Sequence, residues 1–103
     1  MIRFTFFKNK TGALIGFQCT NHGRDIVCAA VSALTMNTIN SIEIFSDSKF
    51  SVDFNEDGGF MEFILDSDLI EPAAALLLDS LDLGICSIAA EYEEEIEVFV
   101  KEV

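Results

Sequence analysis

The residues able to do reactive chemistry are concentrated in one stretch, residues 16–32, where Cys28 follows His22, the only histidine of the chain. Asp25 is a preferred residue for capping a helix, because its carboxylate accepts hydrogen bonds from free N–H groups of the first turn. With Asp25 as the cap, Cys28 lies at the third helical position. The helix dipole there favours the thiolate, the nucleophilic form of cysteine, although the Asp25 carboxylate opposes it. The pattern predicts a nucleophile at Cys28 and a candidate base at His22.

Three further residues of this stretch are predicted to line the site. Gly23 allows the tight backbone approach that the start of the helix needs. Ser32 lies one turn after Cys28 on the same helical face, where its hydroxyl could hydrogen-bond near the thiol. A serine that faces solvent or bonds back to its own helix fits the sequence equally well. We therefore expect Gly23, Asp25 and Ser32 to contact a bound substrate.

The elements that must position these residues follow from the hydrophobic pattern. Ile2, Phe4 and Phe6 alternate with polar residues, as in a half-buried strand, and residues 55–59 have the composition of a hairpin turn. Pro72 suits the first position of a helix. The sequence predicts strands at residues 2–8, 13–19, 49–54, 59–65 and 96–101, and helices at 26–40 and from 71–72 towards 92.

The predicted fold is therefore α+β, in the order β-β-α-β-β-α-β, within a single domain spanning residues 1–103. We expect a mainly antiparallel sheet of about five strands with two helices packed on one face, because the third strand alternates apolar and polar residues. Gly84 inside the second helix costs on the order of 1 kcal/mol relative to alanine, which a closely packed neighbouring helix would explain. The apolar stripe of that helix is also wide. We predict a homodimer, with core packing alone as the alternative.

Charge separates the possible partners. The chain has 6 Lys and Arg against 18 Asp and Glu, for a net charge of −12, and most of the acids lie in residues 42–103. Nucleic-acid binding depends on Lys and Arg that neutralise phosphates, so we expect no nucleic-acid partner. An acidic surface instead attracts basic partners and speeds their encounter.

The remaining composition predicts a cytoplasmic protein. Half of the residues are hydrophobic, which excludes a disordered chain. No apolar run approaches the roughly 20 residues of a membrane span, and no signal peptide is apparent, so no membrane partner is expected. The 3 cysteines form no CxxC pair, which favours reduced thiols.

The same central stretch carries a family resemblance. Residues 25–34, Asp-Ile-Val-Cys-Ala-Ala-Val-Ser-Ala-Leu, preceded by Gly23, resemble the signature of the ribosomal-processing cysteine protease (Prp) family. A looser likeness runs from Leu81 to Tyr92, and the order of elements extends it over nearly the whole chain. The resemblance implies a small cytoplasmic, dimeric endopeptidase that trims an N-terminal extension from a large-subunit ribosomal protein. It also implies a Cys/His pair, with Cys28 as the nucleophile.

One motif of the family is not matched. The family's base is the histidine of a Gly-His-Ala motif at the end of the second strand, and we match that motif to Gly16-Phe17-Gln18. Because Phe17 cannot accept a proton, His22 is the remaining candidate base. The alternative is a catalytically inactive member that keeps the fold and the cysteine and binds a basic peptide or a ribosomal protein tail.

The other cysteines offer alternative chemistry. Cys19, His22 and Cys28, with Asp25, are donors that zinc accepts. A second cysteine pair is absent and Asp25 is assigned to the cap, so we expect neither a metal nor a cofactor. Cys19 is predicted to be a small sheet residue, with an inactivating Cys19–Cys28 disulfide as the alternative. Cys86, within an apolar helix, is predicted to be a packing residue.

Overall fold

The computed structural model describes residues 1–67 and 69–103. Its elements follow the predicted order and confirm the α+β fold, with every strand close to its predicted bounds. They are β1 (Ile2–Lys8), β2 (Leu14–Thr20), α1 (Asp25–Phe45), β3 (Phe50–Phe54), β4 (Phe60–Leu65), α2 (Pro72–Glu91) and β5 (Ile96–Glu102).

The five strands form one mixed sheet in the order β3-β4-β2-β1-β5. The pairs β1–β2, β2–β4 and β3–β4 are antiparallel, whereas β1 and β5 are parallel. The pairings make β4 and β5 run in the same direction, so these two consecutive strands cannot be joined by a tight hairpin. Helix α2 supplies the crossover connection between them. The connection brings the start of β5 beside the start of β1, where Ile96 pairs with Ile2.

An aromatic ladder forms the centre of the core. The ring of Phe17 stacks on Phe4 at a centroid distance of 5.5 Å and on Phe63 at 5.3 Å, and Phe63 contacts Phe50 at 5.0 Å. Phe17 is fully buried. Both helices cover this face of the sheet. Their buried apolar residues are Val27, Val31, Ile39, Ile42, Ala74, Leu78, Leu81 and Ile85.

On the β3 side of the sheet the opposite face is exposed to solvent, as the alternation in the third strand predicts. Ser51 and Asp53 are exposed there. On the same face the amide of Gln18 donates a hydrogen bond of 2.7 Å to Glu62, its partner across the β2–β4 pair.

Two glycines permit close approaches. A Cβ atom at Gly16 would lie 2.2 Å from the carbonyl oxygen of Phe63, so only glycine fits this close backbone approach in the second strand. A Cβ atom at Gly84 would lie 2.9 Å from Cδ1 of Leu34. The helix that packs closely on Gly84 is therefore α1 of the same chain, and this glycine gives no support to the predicted dimer.

Helix α1 departs from its predicted bounds at its C-terminal end. It continues to Phe45 rather than ending at Asn40. The extension adds Ile42, which is completely buried and continues the apolar face formed by Thr35, Thr38 and Ile39. Burial of this residue outweighs the weak helix propensity of the polar residues around position 40.

The outward faces of both helices remain apolar. By length and composition alone α1 and α2 could each cross a membrane, but each also buries one side in the core shared with the sheet. On the outer side, Ile26 and Ile44 of α1 are 62% and 73% exposed, and Leu76 and Leu83 of α2 are 70% and 73% exposed. These four residues form the outer helical face, which points away from the sheet.

Candidate active site

Helix α1 begins at Asp25, one residue earlier than predicted. Arg24, with extended backbone angles, occupies the N-cap position without a side-chain cap, and Asp25 is the first helical residue. The prediction that Asp25 caps the helix is therefore wrong, and Cys28 lies at the fourth helical position. The Arg24 carbonyl accepts the N–H groups of Val27 and Cys28 at 3.0 and 2.9 Å. In the described part of the chain, the first-turn N–H groups without an acceptor belong to Asp25 and Ile26.

The sulfur of Cys28 lies against the backbone of Gly23. The Gly23 N–H donates to Sγ at 3.3 Å, and the thiol donates to the Gly23 carbonyl oxygen at 3.4 Å. The side chain is half-buried and packs on the core. Gly23 is confined in turn, because a Cβ atom there would lie 3.2 Å from the Ile2 side chain. In this arrangement both hydrogen-bonding groups of Gly23, in the loop that precedes the helix, lie against the sulfur.

His22 lies just beyond the end of β2 and faces the β3–β4 hairpin. Its exposed imidazole lies against Gly58 and Gly59, with Nε2 3.4 Å from the Cβ position of Gly59. The Asn21 N–H donates to the Gly59 carbonyl oxygen at 3.0 Å, which fixes the loop to the hairpin. Among the residues that the structure describes, no hydrogen bond joins His22 to Cys28. The imidazole must therefore move away from the hairpin if His22 is to act as the base for Cys28.

Arg24 fixes the other end of the loop to the start of β5. Its guanidinium makes a bidentate ion pair with Glu95, with Nε–Oε1 at 2.9 Å and Nη2–Oε2 at 2.8 Å. The Arg24 backbone N–H also donates to Oε1 at 3.2 Å. The guanidinium hydrogen bond lowers the pKa of the Glu95 carboxyl. No local pattern indicated this contact, because Arg24 and Glu95 are 71 residues apart along the chain.

The other cysteines differ from Cys28 in environment. Burial, followed by the nearby Cys28, raises the pKa of the Cys19 thiol to about 11. Cys86 is exposed and donates to Asp82 at 3.3 Å, so its prediction as a packing residue is wrong. Within residues 1–67 and 69–103, no cluster of His, Cys, Asp or Glu is arranged to hold a metal ion.

The remaining predicted contact residues are accessible. Asp25 and Ser32 are exposed on the first two turns of α1. Near them, a shallow cavity of about 350 Å³ is lined by Arg24, Tyr92 and the glutamates between residues 91 and 95. The structure therefore brings a thiol, a loop and an acidic cavity to one end of the sheet.

The family model described as cysteine protease Prp matches residues 1–97. This chain belongs to the Prp family. A curated relative, the ribosomal processing cysteine protease Prp of Bacillus subtilis, is 26% identical over 107 residues, covering 95% of this chain and 96% of the relative. A Staphylococcus aureus protein of the same name is 29% identical over 80 residues, covering 78% of this chain and 74% of its own length.

Solved structures agree with this membership. The essential ribosomal processing protease Prp of S. aureus, in complex with a covalently linked product peptide, superposes with a TM-score of 0.92 at 26% identity, covering 98% of this chain and 100% of that chain. The protein SMU.848 from Streptococcus mutans gives a TM-score of 0.88 at 33% identity, covering 100% of this chain and 96% of that chain. The Prp fold therefore extends over the whole described chain.

The structure corrects the match to the Gly-His-Ala motif. Strand β2 continues to Thr20, so Gly16-Phe17-Gln18 lies in the middle of the strand. Phe17 faces the aromatic core there and is fully buried. The motif is expected at the end of the second strand, and the residues directly after that end are Asn21-His22-Gly23. Residues 16–18 therefore do not occupy the place of the motif.

Proposed function

We propose that this chain is a Prp-type cysteine endopeptidase that trims the N-terminal extension of a ribosomal protein. The observation that carries the proposal is the position of Cys28, in the opening turn of α1, in a chain that the family model matches over residues 1–97. A nucleophilic cysteine near a helix N-terminus is favoured by the dipole and by unpaired N–H groups.

The proposed reaction proceeds through a thioester. His22 takes the thiol proton while Sγ of Cys28 attacks the carbonyl carbon of the scissile peptide bond. The C–N bond then breaks, and the amine leaves with the proton that His22 returns. Water cleaves the thioester and regenerates the thiol. The N–H groups of Asp25 and Ile26 are the candidate donors to the oxyanion, because the N–H of Cys28 is bonded to Arg24. The covalently linked product peptide of the S. aureus relative is consistent with such an intermediate.

His22 is the proposed base because of where it lies along the chain. The family resemblance puts the base at the end of the second strand, which here is Thr20. Asn21, the residue before His22, has a φ of 70°, a conformation that favours glycine and that asparagine tolerates better than most residues. Asn21 thus takes the conformation suited to the glycine of a Gly-His pair. To act on Cys28, the imidazole must leave the Gly58–Gly59 hairpin.

Cleavage of candidate precursors tests this proposal. We expect the protein to shorten peptides that contain the N-terminal extension of a large-subunit ribosomal protein from the same organism, as read by mass spectrometry. Cys28→Ala and His22→Ala should abolish cleavage, whereas Cys86→Ala, at an exposed thiol on α2, should leave it unchanged. Full cleavage by the His22 variant would exclude His22 as the base, and cleavage by the Cys28 variant would exclude the whole mechanism.

The charge of the site supports a basic substrate. Glu91, Glu93 and Glu94 are exposed beside the loop that precedes α1. We propose that they attract the basic tail of a cytoplasmic ribosomal protein, while Gly23, Asp25 and Ser32 contact the bound peptide near the sulfur. Acidic surfaces of this kind speed the encounter with cations, and the acceleration falls as salt rises.

A second candidate function is peptide binding without cleavage. It is favoured by the enclosure of Cys28 Sγ between the N–H and carbonyl of Gly23 and by the orientation of His22 towards the hairpin. Under this proposal the parent protein binds the precursor peptide, leaves it intact, and binds it equally well after Cys28→Ala. Titration of a fluorescent precursor peptide, followed by mass spectrometry of the same sample, distinguishes the two functions.

We further propose that the chain forms a homodimer through the outer helical face. Leu76 and Leu83 project from α2, and Ile26 and Ile44 project from α1. Large apolar side chains exposed on two packed helices are a feature typical of an association surface. A second copy of the same chain would bury it symmetrically.

A further inference from the structure

The loop between β2 and α1 is held from both sides. At its start the Asn21 N–H is bonded to the Gly59 carbonyl, and at its end Arg24 is bonded to Glu95. Gly23 lies between these two attachments and contacts the sulfur of Cys28. The position of the loop over the thiol therefore depends on contacts made by residues remote in sequence.

The attachment to Glu95 is geometrically strong. It combines two guanidinium hydrogen bonds and one backbone hydrogen bond on a single carboxylate, and it is the one ion pair within the described residues. Bidentate, charge-assisted bonds fix orientation as well as distance. The Glu95 side chain is only 19% exposed, and the guanidinium carbon of Arg24 also lies 5.8 Å from the ring centroid of Tyr92.

The anchor is rigid because Glu95 is held by its own backbone. Its N–H donates to the Tyr92 carbonyl at 2.8 Å, and its carbonyl accepts the N–H of Ile2 at 2.8 Å, where β5 meets β1. Movement of Glu95 would therefore disturb the edge of the sheet. Arg24, which is 66% exposed, is the partner that can leave.

The closed loop is incompatible with a reactive sulfur. The thiol donates a hydrogen bond to the Gly23 carbonyl oxygen. Once Sγ loses its proton, its negative charge faces the partial negative charge of the same oxygen at 3.4 Å. Nucleophilic attack thus requires Gly23 to withdraw, and its neighbour Arg24 limits how far it can do so.

We propose that Glu95 is a latch: its ion pair with Arg24 holds the β2–α1 loop closed over Cys28, and release of Arg24 exposes the sulfur. The consequence for peptide cleavage rests on the proposed function, whereas access to the sulfur does not. Glu95 acts here as a positioning residue, through Arg24 and Gly23, without contact to the sulfur.

Alkylation of Cys28 by iodoacetamide tests the latch without any peptide substrate. The rate is measured from pH 6 to pH 10 and assigned to Cys28 by peptide mapping. The plateau rate at high pH reports access to the thiolate, whereas the midpoint of the profile reports its electrostatics. Because exposed ion pairs contribute modestly, Glu95→Gln should raise the plateau roughly two- to five-fold.

A matched control and a second variant complete the design. Glu94→Gln removes the neighbouring, exposed carboxylate and should leave the plateau unchanged. Glu95→Ala, which removes every acceptor for Arg24, should raise the plateau at least as much as Glu95→Gln, with circular dichroism verifying the fold of both. A plateau equal to that of the parent, or a change confined to the midpoint, would overturn the latch. Failure of the parent to cut peptides would instead count against the proposed function and leave this measurement intact.

Discussion

The backbone of Gly23 contacts the sulfur of Cys28 with both of its hydrogen-bonding groups, the N–H at 3.3 Å and the carbonyl oxygen at 3.4 Å. The N–H can donate to a thiolate sulfur, whereas the carbonyl oxygen can accept a hydrogen bond only from a protonated thiol. Both contacts come from the loop that precedes α1, so the loop rather than the helix sets the immediate surroundings of the sulfur.

Selectivity among the three thiols follows from their surroundings. Burial raises the pKa of the Cys19 thiol to about 11, so Cys19 stays protonated near neutral pH and should react sluggishly with iodoacetamide. Burial also raises the pKa of Cys86, followed by its hydrogen bond to Asp82. We expect Cys28 to be labelled ahead of Cys19 at pH 7.5, as read by mass spectrometry of tryptic peptides, and Cys19→Ser to leave the labelling rate of Cys28 unchanged. Labelling of Cys19 ahead of Cys28 would contradict this assignment.

Two glycine substitutions should have very different effects on stability. Gly16→Ala drives a methyl group to 2.2 Å from a backbone oxygen of Phe63, which cannot move without separating β2 from β4. Strain of this kind should cost on the order of 3 kcal/mol. Gly84→Ala meets only the end of the Leu34 side chain, which can rotate. The gain in helix propensity, about 1 kcal/mol, should offset the cost of that movement.

Urea denaturation measures both variants against the parent. The expected order of unfolding midpoints is Gly16→Ala far below the parent, with Gly84→Ala close to it. Equal losses in the two variants would show that the close approach at Gly16 can relax, and would remove the distinction between backbone and side-chain neighbours.

Local patterns predicted the elements well because each depends on its own residues. Alternation in β1 and β3, the hairpin composition before β4 and Pro72 at the start of α2 are all readable within a few positions. The errors arose where distant contacts decide the outcome. Asp25 is the better local cap, but Arg24 takes the cap position with its side chain bound to Glu95. Helix α1 continues past Asn40 because Ile42 reaches the core.

The candidate site was predicted in part for the same reason. The stretch that contains His22, Gly23 and Cys28 is contiguous, so its composition alone indicated the segment that carries the proposed site. The match of the family histidine to Phe17 failed, because the sequence did not show that β2 extends to Thr20. The attachments of the loop, to Gly59 and to Glu95, join elements that only the fold brings together.

The outer helical face should control the oligomeric state. Leu76 and Leu83 lie on one side of α2, about two turns apart, and are 70% and 73% exposed. Leu76→Glu combined with Leu83→Glu should convert the proposed dimer to a monomer, because each buried carboxylate would lack a partner. Light scattering after gel filtration measures the mass. Leu69→Glu, at an 85% exposed loop position, is the matched control and should leave the dimer intact. A monomeric parent would refute the dimer outright.

The ion pair of Glu95 should make part of the stability depend on acid. The guanidinium hydrogen bond of Arg24 lowers the pKa of the Glu95 carboxyl from its ordinary value near 4.5. The Glu95 carboxyl therefore stays deprotonated down to a lower pH in the folded state than in the unfolded state. Its contribution is complete above the unfolded value and is lost as the pH falls through the lowered one. The other charges near it, on Glu91, Glu93 and Glu94, are of like sign and do not replace Arg24.

Glu95→Gln isolates this contribution, because glutamine keeps the shape of the side chain without its charge. The melting temperature of the parent should exceed that of Glu95→Gln by a constant margin above pH 5, and the margin should close as the pH falls below 4.5. Glu94→Gln, which removes a carboxylate without this ion pair, should show no such narrowing. A difference in melting temperature that widens in acid would contradict the ion pair. It would mean that folding raises the pKa of Glu95, because only a group with a raised pKa stabilises the folded state as protons are added.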